Sequence, residues 1–513
     1  MLQYLGRIIS LVLGFAGIFP TIAQDSTQTK FDTKSFLLFS TTNQIDFYTK
    51  HPSLLYQSTV RNFGVAQLSY HQVDGYFKRV QEPQGLTKMS FSSYGIHDIK
   101  NIRVSGSFIY EREWQREAGL AHRYDIYDPS PYYLFAQKPG NWNKISYVLS
   151  GDMTTNLLSK RLRVGVGTDY IARQNYRTID PRPNINVFGF KPRFSVGYEL
   201  SKHFYTGITY RFGYGKNDVS VGYKNDLYGS SLIYPEYINY LNGGFGYVLQ
   251  QQTVTNGKSL RERIQENDLE LAIAISKEFY KINLLTGLKS KKQSYYRNAS
   301  TSNFEFDLST FQLNSPYLSV RYNYKTPSKY WLSEVTLEQQ QGKDYNAQLN
   351  GNNFVYNTNR IGILTGYTSI QFWEFYLNGI LESMDKADGV SNNRMKLSST
   401  TVSLRIAKAW HWRQKQTIKI GLRTQLKQNL SAKLVISPIF ESEAVQQIIR
   451  PDYDYLRSNS MDSGLELNYL YQKSKFSNMF IKGSFSFQQN LSNNALALGK
   501  SRSMIEISTG IIF

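Results

Sequence analysis

The final stretch of the chain, residues 501–513, reads SRSMIEISTGIIF and decides the fold class. One of its faces leads down to the terminal Phe513 through Ile505, Ile507, Thr509 and Ile511. The other face carries smaller or polar side chains, among them Glu506. Successive side chains of a β-strand point to opposite faces of a sheet, so the alternation predicts a strand with one apolar and one polar face.

The same period of two recurs along the chain, whereas helical periodicity is scarce. It is seen in residues 163–167, 193–200, 269–276, 418–423 and 465–469. A soluble β-sandwich would also contain such strands, so their connections must decide between a sandwich and a membrane barrel.

The connections alternate between tight turns and long polar loops. The tight turns combine small, basic or polar residues with aromatic ones, at 201–205, 276–280, 328–331, 371–373, 410–413 and 473–476. The longest loops are 116–142, 222–264 and 437–459. Short turns at one end and long loops at the other are typical of outer-membrane β-barrels, and the aromatic residues would form an interfacial girdle. We therefore predict an all-β, transmembrane antiparallel barrel in which residues 63–513 form the wall.

Counting predicts about eighteen strands, with fourteen and sixteen as open alternatives. Even parity would place both chain ends in the periplasm. The predicted strands centre on residues 63–77, 86–97, 101–115, 143–157, 161–175, 188–200, 204–221, 265–279, 281–297, 316–326, 330–345, 359–371, 373–385, 394–410, 416–433, 460–472, 476–490 and 501–513.

The N-terminus has the layout of a secretory signal. Arg7 precedes an apolar run over residues 8–19, which is followed by Pro20 and small residues up to Ala23. The run is about a dozen residues long, too short for a membrane-spanning helix. We predict that 1–23 is a signal peptide and that Gln24 begins the mature chain. With 0 cysteines the chain can form no disulfide and carry no lipid on an N-terminal Cys.

Residues 24–62 fit no barrel strand. A possible short strand covers 34–39, and residues 51–56 predict a turn followed by one helical turn. The segment is either a periplasmic extension or a hatch inside the barrel. An empty barrel of about eighteen strands would enclose a wide channel. We predict the hatch, because a solvated tail has little reason to keep its apolar residues Phe36, Leu37, Leu38, Phe39, Leu54 and Leu55.

Several of these features together resemble the large outer-membrane β-barrel proteins of Bacteroidota, which include families of unknown function. The features are the leader ending in Ala23-Gln24, the Tyr-rich strands, the Ser-Lys-aromatic turns and the terminal Ile-Ile-Phe. The resemblance implies an outer-membrane location and, in some families, association with TonB-dependent uptake systems. A TonB-dependent receptor itself would need about 22 strands and a larger plug. The terminal aromatic strand, from Ile505 to Phe513, resembles the signal read by the outer-membrane assembly machinery.

The polar faces of the predicted strands would line the lumen. They carry charges of both signs, which fit a hydrated interior or an internal ion-pair network and would be costly against lipid. An excess of cations would favour anionic solutes. The lumen-facing candidates are Arg103, Arg163, Arg193, Glu199, Arg211, Glu270, Arg321, Glu334, Arg405, Lys419, Arg423, Glu466 and Lys482.

The formal net charge is +20. Lys and Arg are scattered along strands and turns without a dense patch or a nucleic-acid motif, so we predict no nucleic-acid partner. The expected partners are outer-membrane lipid and lipopolysaccharide, the assembly machinery and, as neighbours, TonB-dependent receptors.

Catalytic motifs are missing from the sequence. It has 6 histidines but no Gly-x-Ser-x-Gly elbow and no zinc-binding His-Glu-x-x-His. His122 lies near Asp125 and Asp128, a grouping found in some barrel proteases, but we interpret it as a solvated loop. We predict no enzyme activity, no metal and no cofactor.

Two functional classes remain open. The first is a channel or transporter for small solutes, favoured by the polar lumen. The second is a closed structural, adhesive or partner-binding barrel that is accessory to a TonB-dependent uptake system, favoured by the long loops and the hatch. The closure of the lumen would distinguish them.

Overall fold

The computed structural model describes residues 39–157, 161–230, 233–252, 259–298, 305–369, 373–413, 415–473, 477–492 and 499–513. The predicted signal peptide, 1–23, lies outside the described residues, as does most of the possible strand 34–39. Phe39, the last residue of that possible strand, begins an α-helix instead. Whether the leader is cleaved stays a prediction.

Eighteen strands form one closed antiparallel sheet within the described residues. Each strand pairs with its neighbours along the chain, and the first also pairs with the last, from Val65 opposite Ile512 to Gly75 opposite Arg502. The prediction of an antiparallel barrel of about eighteen strands is therefore confirmed. The barrel strands are β1 (Phe63–Gly75), β2 (Gly85–Ile99), β3 (Ile102–Ala118), β6 (Gly140–Leu157), β7 (Leu162–Arg177), β8 (Arg182–Ser201), β9 (Phe204–Gly222), β12 (Ser259–Ser276), β13 (Tyr280–Asn298), β14 (Glu305–Lys325), β15 (Lys329–Asn346), β16 (Phe354–Ser369), β17 (Trp373–Asp388), β18 (Arg394–Arg413), β19 (Gln416–Val435), β20 (Ser460–Gln472), β21 (Asn478–Asn490) and β22 (Ser501–Ile512).

The period-two alternation gives the barrel an apolar outer face. Phe194 and Val196 are 58% and 50% exposed, whereas Arg193 and Ser195, their neighbours on the other face, are buried. In the last strand Ile505 and Ile507 are exposed while Ser508 and Ile512 are buried. No described helix has the length and apolar character that a membrane crossing requires. Exposed aromatic residues at the short-turn end include Phe279, Trp331, Trp410, Trp412 and Phe513.

Several strands begin earlier at the long-loop end than their alternation predicts. β14 begins at Glu305 rather than near 316, β12 at Ser259 rather than 265, and β16 at Phe354 rather than 359. In these extensions the outward side chains are mostly polar, as in Gln312 and Asn314, so the contrast between the two faces is lost. Backbone pairing with the neighbouring strands continues there regardless.

The long loops fold into a second structure at the mouth of the barrel. Its four-stranded sheet has the order β11-β10-β5-β4, from β4 (Ala121–His122), β5 (Tyr133–Phe135), β10 (Asn239–Asn242) and β11 (Val248–Gln252). Helical elements in the loops are α2 (Leu227–Ser230), α3 (Arg450–Leu456), two 3-10 helices (Pro235–Tyr237 and Pro438–Phe440) and a π-helix (Val445–Ile449). We call residues 119–139, 233–252 and 436–459 the lid.

An apolar core joins the lid to the barrel wall. Leu134, Leu241 and Val445 of the lid are buried in one cluster with wall residues Ile185 and Phe311. Fully buried side chains are unexpected for the polar, solvated loops that the sequence suggested. The alternation could not reveal this core, because its members come from loops far apart in the sequence.

The N-terminal part of the described chain is helical. Helix α1 (Phe39–Lys50) is followed by a 3-10 helix, Pro52–Gln57, which confirms the predicted turn and single helical turn at 51–56. Pro52 occupies the first turn, where a missing N–H has no cost. Leu54 and Leu55 are both 0% exposed. We call residues 45–58 the N-terminal segment.

Candidate functional site

Glycines in the wall make room for the N-terminal segment. Gly197 and Gly207 lie opposite each other on β8 and β9. A Cβ on Gly207 would lie 2.8 Å from the Cβ of Ser53, and one on Gly197 would overlap the Tyr205 hydroxyl. That hydroxyl donates a hydrogen bond of 2.5 Å to the carbonyl of Ser53. The segment therefore lies directly against the backbone of these strands.

Arg103 holds the end of the 3-10 helix. Its Nη1 donates to the carbonyls of Leu55, Tyr56 and Ser58, each at 3.1 Å. Its other nitrogens, Nε and Nη2, donate to Asp98 at 2.6 and 2.8 Å. The side chain is only 1% exposed. The last carbonyls of a helix lack partners within the helix. The guanidinium supplies a donor to Tyr56 and Ser58, and a second donor to Leu55, which also accepts from the Ser58 N–H at 3.2 Å.

An ion-pair cluster contacts the turn between the two helices. His51 Nδ1 lies 2.9 Å from Glu270 Oε2, and Tyr317 donates to the same carboxylate oxygen at 2.6 Å. Arg211 lies 3.6 Å from Glu270 Oε1 and donates to the Lys50 carbonyl at 3.1 Å. Both partners of the central pair are largely buried, so the contact is shielded from water.

Further cations of the wall contact aromatic rings of the segment or of its surroundings. The guanidinium of Arg321 lies 4.1 Å from the ring of Phe47, and that of Arg163 lies 4.8 Å from the ring of Tyr56. Each of these arginines also pairs with an acid of the wall: Arg321 with Glu334 at 3.1 Å and Arg163 with Glu199 at 2.9 Å.

Lys281 is a further contact that the sequence reasoning missed. Its Nζ donates to the Gln57 carbonyl at 2.8 Å and lies 4.8 Å from the ring of Tyr48. The signal in the sequence is weak, because the apolar Leu285 lies on the same inward face of β13 as Lys281 and Asn283 and interrupts the polar alternation.

The other charged candidates form pairs elsewhere on the wall. Arg193 pairs with Asp152 and Asp169, both at 2.5 Å. A second network links β17 to β20: Arg405 lies 3.0 Å from Glu374 and 2.8 Å from Glu466, and Lys419 lies 3.0 Å from Glu374.

Two candidates lie outside both groups. Arg423 donates to Ser486 at 3.0 Å and lies 3.8 Å from Asp462, while Lys482 lies 4.9 Å from the ring of Phe480. The structure thus brings seven of the candidates together around the N-terminal segment: Arg103, Arg163, Glu199, Arg211, Glu270, Arg321 and Glu334.

A water-accessible surface remains on the inner faces of the strands farther from these contacts. Arg360 of β16, Arg423 and Gln425 of β19 and Glu506 of β22 are exposed, although each shares a face with buried residues of its strand. They lie near the middle of their strands, between the two barrel ends. Arg360 is not evident from the sequence, because residues 357–360 are polar on both faces of β16 and hide the alternation.

The chain terminus closes the sheet through Gly64. The N–H of Gly64 donates to the Phe513 carbonyl at 2.7 Å, and the N–H of Phe513 donates to the Gly64 carbonyl at 2.9 Å. The phenyl ring covers Gly64, where a Cβ would overlap it. The terminal aromatic residue therefore lies at the seam where the first and last strands of the barrel pair.

The group around His122 does not form a catalytic site. His122 is 0% exposed, and neither ring nitrogen has a hydrogen-bond partner in the described part of the chain. The expectation of a solvated loop is therefore wrong. Burial, together with the nearby Arg177, holds the pKa of His122 well below its ordinary value, so the ring is neutral. Asp128 instead binds Lys291 at 2.6 Å and Gln293 at 3.0 Å.

No group of three or more potential ligands is placed to hold a metal ion among the residues with described positions.

Similarity to solved structures is confined to the fold. The chain is similar to a FadL homologue of Pseudomonas aeruginosa at 9% identity, with 88% of this chain and 90% of that chain covered and a TM-score of 0.33. It is also similar to the FrpB iron transporter from Neisseria meningitidis at 8% identity, with 90% and 83% covered and a TM-score of 0.45.

The siderophore receptor PiuA from Acinetobacter baumannii gives 9% identity, 87% and 82% coverage and a TM-score of 0.37. No curated protein matches the sequence. Residues 52–513 match one known family over most of the chain. The chain therefore belongs to the family described as "Family of unknown function (DUF6850)".

Proposed function

We propose that this protein is a gated outer-membrane transporter for small solutes, closed in the present state by the N-terminal segment. The observation that carries the proposal is the water-accessible inner surface at Arg360, Arg423, Gln425 and Glu506, next to a segment held by polar contacts. Barrels that conduct solutes have a polar, water-filled interior of this kind. Export through the cleaved leader 1–23 is part of the proposal.

The contacts of the segment favour reversible attachment. The wall meets it through hydrogen bonds to backbone carbonyls and through the pair between His51 and Glu270. It also buries apolar side chains, with Phe47, Tyr48 and Leu54 packed in a small cluster with wall residues such as Ala272 and Leu285. Polar contacts exchange for contacts with water when the segment leaves, so their net contribution is limited, about 1.5–3 kcal/mol for each hydrogen bond that involves a charged group.

The lid is held differently. Its core with the wall contains many large apolar side chains, among them Leu134, Phe245, Val445 and Ile449. Each fully buried side chain of this kind contributes about 1.5–3 kcal/mol. The segment also buries apolar side chains, but its cluster with the wall is smaller than that of the lid and comes from one short stretch of chain. We therefore assign the movement to the segment, with solute passing beside the lid.

Conductance in planar bilayers tests the proposal. We expect deletion of residues 26–58 to raise single-channel conductance strongly, because it removes the segment from the inner surface. Gly207→Val should raise the open probability, since its side chain would displace Ser53. Gly379→Val is the matched control, because nothing lies within 4 Å of a Cβ at Gly379. Unchanged conductance in correctly folded deletion and Gly207→Val variants would contradict the proposal.

The lid supports a second candidate, a closed barrel that binds a partner at the outer surface, accessory to a TonB-dependent uptake system. Its tips expose apolar residues, with Ile439 and Ile233 87% and 80% exposed, above a packed core. This function would leave every variant above non-conducting.

A further inference from the structure

The outer face of strands β12 to β16 changes its chemistry along the barrel axis. Near the short turns this flank is apolar. The apolar region ends, on the side of the long loops, at the exposed residues Leu269, Leu288, Leu337 and Ile361. On β12 the apolar run covers 269–275, whereas on β8 it extends over 188–200. A transmembrane strand needs about 9–11 residues. The apolar band on this flank is therefore unusually short, and it ends closer to the short turns than it does on β8.

A row of amides and hydroxyls lies directly above the apolar band. The register aligns Asn267, Ser290, Asn314, Gln341 and Asn357 on five neighbouring strands. Ser290 donates to Asn314 at 2.9 Å within this row. These groups suit the polar linkages of lipid molecules better than their hydrocarbon chains.

The next row toward the loops is cationic. Lys292 and Lys343 are exposed, and the register places them two strands apart with Gln312 between them. Two strand spacings correspond to about 10 Å. Neither lysine takes part in an ion pair with any residue whose position is described. Arg263 stands beside them and lies 4.6 Å from the ring of Tyr296.

The acids of the flank do not neutralise this row. Asp218 pairs with Lys216 at 2.6 Å and with Arg261 at 2.9 Å, and Asp307 lies farther toward the loops, opposite Tyr296. With those acids counted, the flank keeps a net positive charge. The layers run from apolar through hydrogen-bonding to cationic, which is the order of acyl chains, linkages and phosphates in a phosphorylated lipid.

We propose that this flank binds a phosphorylated glycolipid of the outer leaflet, with Lys292 and Lys343 at its phosphates. The low apolar band brings the headgroup of a bound lipid level with these lysines. The amide row suits the many hydrogen-bonding groups of a glycolipid, which a simple phospholipid lacks. The inference requires the barrel to lie in an outer membrane and does not depend on transport.

Native mass spectrometry of the detergent-solubilised full-length protein tests the site. The probes are bisphosphorylated lipid A, its dephosphorylated form and phosphatidylglycerol. Each cation near an anionic lipid contributes roughly fivefold to binding, so Lys292→Gln with Lys343→Gln should weaken lipid A binding about twenty-five-fold. The control pair Lys202→Gln with Lys415→Gln makes the same charge change in exposed turns at the opposite end and should leave binding unchanged.

Three outcomes would overturn the proposal. They are equal retention of lipid A by the two double variants, equal binding of the dephosphorylated lipid, and a matching loss of phosphatidylglycerol, which would indicate general attraction of anionic lipid. A shift in electrophoretic mobility on heating shows that each variant is folded, so a loss of binding reports the site.

Discussion

At the scale of single residues, the cations of the wall contact different partners from those that their charge suggested. On the sequence alone, the positive charges of Arg103, Arg211 and Arg321 indicate a lumen that would favour anionic solutes. In the structure these arginines contact carbonyls or a ring of the N-terminal segment. Alternation identifies the face on which a residue lies but not its partner, because the partner comes from a segment without strand periodicity.

Replacing Arg103 should loosen the segment. Arg103→Met removes hydrogen bonds to three carbonyls: Leu55 keeps the Ser58 N–H as a donor, whereas the carbonyls of Tyr56 and Ser58 lose the guanidinium that holds them. Each unsatisfied buried group costs about 1–3 kcal/mol, so we expect partial release of residues 45–58 from the wall. Limited proteolysis of the folded protein should show faster cleavage in that segment. Arg112→Met, at an outward position of β3, should cleave like the wild type, and equal protection of both variants would exclude the anchoring role.

Closure of the barrel at its first and last strands gives a second residue-scale test. Phe513 pairs with Gly64 through two backbone hydrogen bonds, and its ring covers the glycine. We expect deletion of Phe513, or Ile511→Asp, to lower the amount of heat-modifiable barrel in outer-membrane fractions. Gly64→Val should do the same, because its side chain displaces the ring. Gly483→Val, in open space, should not. If the Phe513 deletion, Ile511→Asp and Gly64→Val all reached the membrane at normal levels, the terminal strand would have no role in assembly.

At the scale of elements, the sequence predicts most strands because one outer face must be apolar along each of them. Where the outer face need not be apolar, the sequence no longer predicts the strand. Above the apolar band both faces of β12, β14 and β16 are polar or are covered by the lid, so the alternation ends before the strand does. The short strands β4 and β10 are not predicted either, because their burial depends on loops that are distant in the sequence.

Burial of His122 makes the lid sensitive to acid. The pKa of His122 is lowered well below 6.5 by desolvation and by Arg177, so the folded lid holds the neutral ring. An unfolded lid would take up a proton below about pH 6.5. The contribution of His122 to lid stability is therefore complete above that pH and is lost as pH falls below it.

Hydrogen exchange of the lid backbone at pH 7.5 and pH 5.5 measures this effect. After correction for the intrinsic amide exchange rate, which itself falls with pH, we expect lower protection over residues 119–139 at pH 5.5 than at pH 7.5. His122→Phe should abolish the pH dependence, because no group remains to be protonated there. His203→Gln, in an exposed turn, should retain it. A pH-independent wild-type lid would show that the buried imidazole does not limit lid stability.

At the scale of the whole molecule, the lid and the N-terminal segment are attached to the wall by unlike means. The lid shares a large apolar core with the wall, whereas the N-terminal segment combines a smaller apolar cluster with hydrogen bonds to its backbone carbonyls. Apolar burial resists partial opening, whereas polar contacts exchange for contacts with water. A transporter with one fixed and one movable closure needs the movable one to leave the wall during each passage of solute.

Cross-linking the segment to the wall tests that requirement directly. Ser53 lies against Gly207, and a Cβ at Gly207 would be 2.8 Å from the Cβ of Ser53. A disulfide needs about 3.5–4.5 Å between these atoms, so a shift of about 1 Å allows Ser53→Cys with Gly207→Cys to form one. The chain has 0 cysteines, so reductant has no other target and the wild type is the control. In proteoliposomes the oxidised variant should exclude small solutes, and reduction should restore uptake to at least the wild-type level. Uptake that is equal in the oxidised and reduced forms would mean that the segment stays in place during transport.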